Sequence, residues 1–323
     1  MTSAGQRLQR ISSRVRCGVT LVALLASAAI VGHAFAQDSL SHAEVAPAVR
    51  FLHVDGAKIA YRDFNSTTRG TPLLMIVGYG ATMAEWDPTL VSGLAQGRRV
   101  IMLDNRGAGD STGSVKHLSV RLMAQDAYGV VHALKLGRVD VLGWSMGGFI
   151  AQELTLDHPE MVRRLILAAT NAGSPHATPD KPAVERTLTN PATTVPELLP
   201  ILFPANQLAA GQAWIAAIAS QPDVTAQAFV ISAATKAAQK TAVRTLWDGP
   251  GEGSYARLPT LRAATLVAYG TDDVIIPPVN SQILLKRIPH ATGVRFPDAG
   301  HAFLFQDPVT ASRAFTAFLG PAT

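Results

Sequence analysis

The chain has almost no cysteine: Cys17 stands alone among 323 residues. That excludes a disulfide framework and any zinc site built from several thiolates. No H-E-x-x-H and no clustered His/Cys spacing occurs, so neither a metal nor another cofactor is expected. Charge is also sparse, at 16% of residues beside 48% hydrophobic ones, which excludes a disordered chain. Internal repeats and low-complexity blocks are absent too, so solenoid architectures are not in question. What remains is a globular chain, long enough for one large domain carrying an insertion.

The formal net charge of +5 misleads until the first 36 residues are set aside. Arg7, Arg10, Arg14 and Arg16 come first with no acid among them, an apolar run follows from Val19 to Val31, and Ala34-Phe35-Ala36 precedes Gln37. Basic, apolar and small segments in that order predict a secretory signal peptide over residues 1–36, cleaved after Ala36. Taking its four arginines from the 28 basic residues leaves 24 against 23 acidic ones, so the high isoelectric point does not imply nucleic acid. Val15 separates Arg14 from Arg16, which removes the adjacent pair of a twin-arginine signal. Cys17 precedes the apolar core and cannot serve as a lipid-attachment cysteine at the cleavage site. The expected location is the periplasm or the exterior, with no stable membrane insertion after cleavage; a retained anchor is the alternative.

Beyond the signal, Arg50–Val54 and Lys58–Asp63 flank Asp55-Gly56, a hairpin pattern. Brief apolar runs at Leu73–Val77, Val100–Leu103, Val139–Leu142 and Leu165–Ala169 then alternate with helical stretches such as Val120–Leu136 and Met146–His158. This alternation predicts an α/β fold with a mostly parallel, doubly wound sheet. Residues 37–173 read as its first part and 251–323 as its second, with strands at Ala264–Tyr269 and Val294–Phe296 and a last helix near Val309–Leu319. Residues 174–250 break the pattern. They hold nine of the 20 prolines and alanine-rich segments around Trp214–Ser220 and Val224–Lys240, and predict a helical insertion.

Val139–Leu142 runs into Gly143-Trp144-Ser145-Met146-Gly147-Gly148 and then into a helix. This is G-x-S-x-G in a strand-to-helix turn, the setting that exposes a strained serine hydroxyl. Ser145 is therefore the candidate nucleophile, with free N–H groups of the helix start aimed at developing negative charge. A serine hydroxyl needs a base held by an acid. His301, in a loop between the last strand and the last helix, is the candidate base. The other eight histidines lack such a setting: His33, for instance, falls in the signal, His132 and His158 on predicted helices, and His117 and His176 in polar loops. The acid belongs on the loop after Ala264–Tyr269, where Asp272 and Asp273 compete and spacing does not choose.

On these motifs the chain resembles the α/β-hydrolase superfamily over nearly all of its mature length. Gly270, Asp273 and Pro277 match the G-x-x-D-x-x-x-P found in members, and the resemblance points to Asp273. Asp104 to Ser111 is similar to the D-x-R-G-x-G-x-S turn of the family. A phosphate-binding reading of those glycines fails, because Thr112 stands where G-x-G-x-x-G needs its last glycine. The resemblance implies an oxyanion hole from the N–H groups of Met146 and Tyr79, although Val77 replaces the histidine that members often carry before the loop glycine. Tyr79 and Trp144 are also expected to line the substrate pocket, and the insertion to act as a cap.

The implied activity is hydrolysis of carboxylic esters through an acyl-enzyme on Ser145, acting on a small molecule that the few charges in the insertion suggest is uncharged. A cofactor-free haloperoxidase or perhydrolase activity on the same triad is the alternative, since such members often carry G-W-S-M-G-G. A non-catalytic ligand-binding homologue is a third reading. Dehalogenases and epoxide hydrolases are disfavoured because they place an aspartate where Ser145 stands.

Overall fold

The computed structural model describes residues 46–221, 226–249 and 253–322, so the expected signal segment lies outside the described residues. Asp55 and Gly56 both adopt positive φ, 42° and 73°, as a two-residue hairpin turn requires. They join β1 (Arg50–Val54) to β2 (Ala57–Phe64) in antiparallel register. The apolar runs that follow become β3 (Leu73–Ile76), β4 (Val100–Leu103), β5 (Val139–Trp144), β6 (Val162–Ala168), β7 (Ala264–Gly270) and β8 (Thr292–Phe296). Their order across the sheet is β1-β2-β4-β3-β5-β6-β7-β8. Only the pairings of β2 are antiparallel; from β4 to β8 every neighbour runs parallel.

Every residue of β3, β4 and β5 is buried, because helices cover both faces. Successive side chains point to opposite faces, and the core divides accordingly. Leu74 and Ile76 meet α2 (Val120–Ala133) and α3 (Met146–Asp157) through Met123, Ala127, Phe149 and Ile150. Leu73 and Met75 meet α1 (Pro88–Ala95) and α10 (Pro308–Leu319) through Leu90, Leu94, Phe315 and Leu319.

Between β6 and β7 the described residues form helices: α4 (Pro182–Thr189), α5 (Val195–Leu202), α6 (Leu208–Ala219) and α7 (Ala233–Lys240), the last running into a π-helical turn at Thr241–Trp247. Two of these helices occupy the proline-rich part that composition alone leaves without a helix. Pro182 and Pro196 stand in the first helical turn, where a missing N–H costs nothing. The first alanine-rich segment starts earlier than expected, and the expected start of the second, Val224, lies outside the described residues. Helix α6 begins six residues before Trp214, and α7 begins at Ala233 because Ser232 caps it, accepting from the Thr235 N–H at 3.0 Å. The region docks on the sheet through Phe203, Trp214 and Ile218, all buried, and the Trp214 indole donates to the Glu85 carbonyl at 3.0 Å. After β7 come α8 (Val279–Arg287) and, beyond β8, the single turn α9 (Phe303–Gln306).

Candidate active site

At the end of β5 the chain turns sharply into α3. Ser145 takes φ 57° and ψ −123°, a conformation costly for a residue with a Cβ. The surroundings hold it there: its N–H donates to the Ala168 carbonyl at 2.9 Å, and its own carbonyl accepts from the Thr170 hydroxyl at 2.9 Å and the Gly148 N–H at 2.8 Å. The flanking glycines are a steric necessity. A Cβ at Gly147 would collide with the Ile76 carbonyl oxygen, and one at Gly143 with the Gly147 carbonyl oxygen.

His301 follows β8 and is buried, at 3% exposure. Its Nδ1 lies 2.9 Å from Asp273 Oδ2. The other oxygen, Asp273 Oδ1, accepts from the Ile275 and Ile276 N–H groups at 2.9 and 2.8 Å. The carboxylate is thereby fixed by its own loop, and only one oxygen faces the imidazole. An acceptor at Nδ1 selects the tautomer with its proton there and leaves Nε2 with a lone pair. Asp272, the competing acid, is exposed, and its N–H donates to the Ala299 carbonyl at 2.9 Å. Geometry thus brings Asp273, and not its neighbour, to His301.

Trp144 ties the turn at Ser145 to the histidine loop. Its indole Nε1 donates to the His301 main-chain carbonyl at 3.0 Å, and its ring lies 5.5 Å from the imidazole. It is 5% exposed, packs edge-on against Phe305, and is absent from the residues lining the cavity beside Ser145. The buried indole of Trp144, expected to line the pocket, thus spends its one donor on the histidine loop. An indole brings one donor as well as an apolar body, and here the donor decides the orientation.

The loop after β3 approaches Ser145 closely: a Cβ at Gly78 would stand 3.0 Å from the Ser145 Cβ. Tyr79 follows it and lines the cavity. The loop is gripped on both sides, by Asn105 Nδ2 donating to the Val77 carbonyl at 3.3 Å and by the Gly80 N–H donating to Gln239 Oε1 at 2.9 Å. Met146 opens α3, so its N–H has no helical carbonyl behind it.

The cavity has a volume of about 170 Å³ and Ser145, Met146 and Tyr79 stand in its wall. Phe149, Val243, Ile275 and Ile276 make one part of the lining apolar. Asp180, Arg244 and Asp248 form another, which sequence reasoning missed. Arg244 Nη2 lies 2.7 Å from Asp180 Oδ2, and its Nη1 lies 3.6 Å from Asp248 Oδ2. Burial raises the Asp248 carboxyl to about 6 against the pull of Arg244, and lifts that of Asp180 for the same reason. Burial also raises the Tyr79 phenol, with Arg244 opposing. No signal in the sequence marked these residues, since Asp180 and Arg244 lie far apart in a region without a motif. Among the described residues no group of three or more His, Cys, Asp or Glu could hold a metal ion. No helix among them is long and apolar enough to cross a membrane.

Comparison with known proteins agrees with this architecture. The model of the alpha/beta hydrolase fold family matches residues 71–308. A poly(3-hydroxyalkanoate) depolymerase of Ectopseudomonas oleovorans is 30% identical over 237 residues, 72% of this chain and 79% of that protein. A Mycobacterium tuberculosis protein, BpoC, named provisionally as a non-heme bromoperoxidase, is 29% identical over 80% of this chain and 97% of its own length. Among solved structures, an alpha/beta hydrolase fold protein from Chitinophaga pinensis superposes with a TM-score of 0.71 at 27% identity, covering 86% of this chain and 98% of that one.

Proposed function

Because the chain belongs to the α/β-hydrolase family, we propose that it is a serine hydrolase cleaving small carboxylic esters through an acyl-enzyme on Ser145. The observation that carries this reading is the fixed imidazole. Asp273 holds Nδ1 at 2.9 Å with its other oxygen already saturated, so Nε2 is the nitrogen left to take a proton.

In the proposed reaction His301 Nε2 removes the Ser145 hydroxyl proton as Oγ bonds to the ester carbonyl carbon. The carbonyl π electrons move onto oxygen, which the Met146 and Tyr79 N–H groups receive. Collapse of this intermediate breaks the C–O bond to the alkoxide, and the imidazolium returns its proton to that leaving oxygen. Water, deprotonated by the same nitrogen, then attacks the acyl carbon, releasing the acid and restoring Ser145. Asp273 orients the ring and stabilises its positive charge throughout.

The substrate we propose is uncharged. Asp180 and Asp248 share Arg244, and Lys240 brings a second positive charge to the same wall, so two carboxylates stand against two cations, while Phe149, Val243, Ile275 and Ile276 make the wall nearer Ser145 apolar. The helices of residues 174–250 serve as the cap over this cavity. Residues 1–36 are the export signal, so the mature protein works in the periplasm or outside the cell. A second reading, peroxide-dependent halogenation on the same residues, is favoured by the name given to the mycobacterial relative.

The test is turnover of p-nitrophenyl esters of increasing acyl length by the mature protein and by Ser145→Ala. The wild type should hydrolyse short acyl chains, and the variant should lose at least about 10³-fold in kcat. Halogenation with acetate and peroxide, without ester turnover, would move the assignment to the second reading; a variant that keeps most of its ester rate would end the proposal.

A further inference from the structure

The hydrogen bond across the loop after β3 connects the nucleophile's surroundings to a helix far along the chain. Gln239 sits on α7, fully buried at 0% exposure, and its Oε1 accepts from the Gly80 N–H at 2.9 Å across 159 residues of sequence. Gly80 directly follows Tyr79, whose N–H is the proposed second donor to the oxyanion. Val77 stands where a histidine side chain often supports this loop, so the support must come from elsewhere. Asn105 steadies the Val77 carbonyl at 3.3 Å, a long bond, and Gln239 steadies the opposite end.

Helix α7 is anchored well enough to fix its glutamine. Thr235 Oγ1 donates to the Gly107 carbonyl at 2.9 Å, the Gly109 N–H donates to the Val230 carbonyl at 3.1 Å, and Ala108 bridges Ile231 in antiparallel fashion. The segment leading into α7 is thus stitched to the turn after β4, whose Asn105 holds the other side of the same loop.

The second amide atom, Gln239 Nε2, is buried and meets no hydrogen-bond partner among the described residues. A flipped amide would set an NH₂ against the Gly80 N–H, two donors face to face, so the orientation is dictated by that contact. A buried donor without an acceptor works against stability.

We infer that Gln239 is a positioning residue, which holds the Gly78–Gly80 loop so that the Tyr79 N–H faces the oxyanion formed at Ser145. The inference rests on the proposed serine hydrolase reading. It makes the oxyanion hole dependent on the docked position of α7: the donor is placed only while this helix stays on the turn after β4.

The experiment compares Gln239→Met and Gln239→Glu with the wild type on a p-nitrophenyl ester, recording kcat, KM and the thermal midpoint. Methionine keeps the volume but loses the acceptor. It removes one unpaired donor, Nε2, and creates another at the half-buried Gly80 N–H, so the midpoint should move little. The expected result is a fall in kcat of about 10-fold or more, by analogy with misplaced catalytic groups, with KM changing less than about twofold. Glutamic acid retains an acceptor toward Gly80 and, at mildly acid pH where a buried carboxyl stays protonated, should recover most of the lost kcat when wild type and variants are compared at that same pH. A methionine variant with wild-type kcat overturns the inference. So does a loss of kcat that tracks a lowered midpoint or is not restored by glutamic acid, for then the residue only supports the fold. Failure of the underlying reading looks different, because the wild type itself would then show no turnover dependent on Ser145.

Discussion

At the scale of single residues, burial and local hydrogen bonds pull against each other most clearly at Asp104. It is 1% exposed at the start of the turn after β4. Its Oδ1 accepts from the Met83 N–H at 2.7 Å and its Oδ2 from the Asp110 N–H at 3.0 Å. Desolvation outweighs both bonds and the charge of Arg62, raising the carboxyl from 3.8 to about 7. The folded protein thus keeps a proton between about pH 4 and 7 that the unfolded chain has released. This contribution to stability is complete below that window and is lost as pH rises through it. An Asp104→Asn variant has no proton to lose at this position. In urea unfolding from pH 4.5 to 8, the wild type should lose stability relative to the variant with rising pH, by about 1–4 kcal/mol in total. Parallel stability curves for the two proteins would refute it. The residue-level lesson for Trp144 is related: a tryptophan beside a nucleophile can face substrate or hold a neighbour. Its rotamer, not its place in the sequence, decides for the His301 carbonyl.

At the scale of elements, β5 is fastened at the end opposite Ser145. Asp140, fully buried, accepts from Arg98 Nη1 at 2.9 Å and from Arg163 Nε and Nη2 at 2.9 and 2.7 Å. The same arginines donate onward to the carbonyls of Gly320 and Leu319 at the end of α10. One carboxylate therefore joins β5, β6 and the last helix. Asp140→Asn leaves two close guanidinium groups without their counter-charge, which should cost about 3–5 kcal/mol. The thermal midpoint should fall by roughly 6–20 °C for a domain of this size, with kcat at 25 °C preserved in the folded fraction. A midpoint equal to the wild type would show that the cluster contributes nothing. Much at this scale is legible in the order of residues alone. Strands β3 to β7 announce themselves as apolar runs ending in turn residues, β8 by only Val294 and Phe296, and Gly143 and Gly147 mark the sharp turn because no side chain fits there. Helices α4 and α5 are not legible in the same way: Pro182 and Pro196 read as breakers unless their first-turn positions are known, and Pro200 stands inside α5.

At the scale of the whole molecule, Ser145, Asp273 and His301 are brought to one edge by the parallel order of β5, β7 and β8. Their chain order and their places after strands are what single out these three candidates in the sequence. Spacing does not choose between the adjacent aspartates, the G-x-x-D-x-x-x-P resemblance points to Asp273, and the fold sets the Asp273 carboxylate 2.9 Å from the imidazole. Gln239, Asp180 and Arg244 could not be read at all. A glutamine on an alanine-rich helix carries no pattern, and its meaning comes only from where that helix docks. The central claim is that His301 activates Ser145, and it is tested most directly by covalent labelling. The mature protein and its His301→Ala variant would be treated with a fluorophosphonate and digested, and the modified peptide identified by mass spectrometry. We predict stoichiometric modification of Ser145 in the wild type, and labelling of the variant slower by at least about 10³-fold. A wild type left unmodified, or a variant labelled at the wild-type rate, would contradict the account.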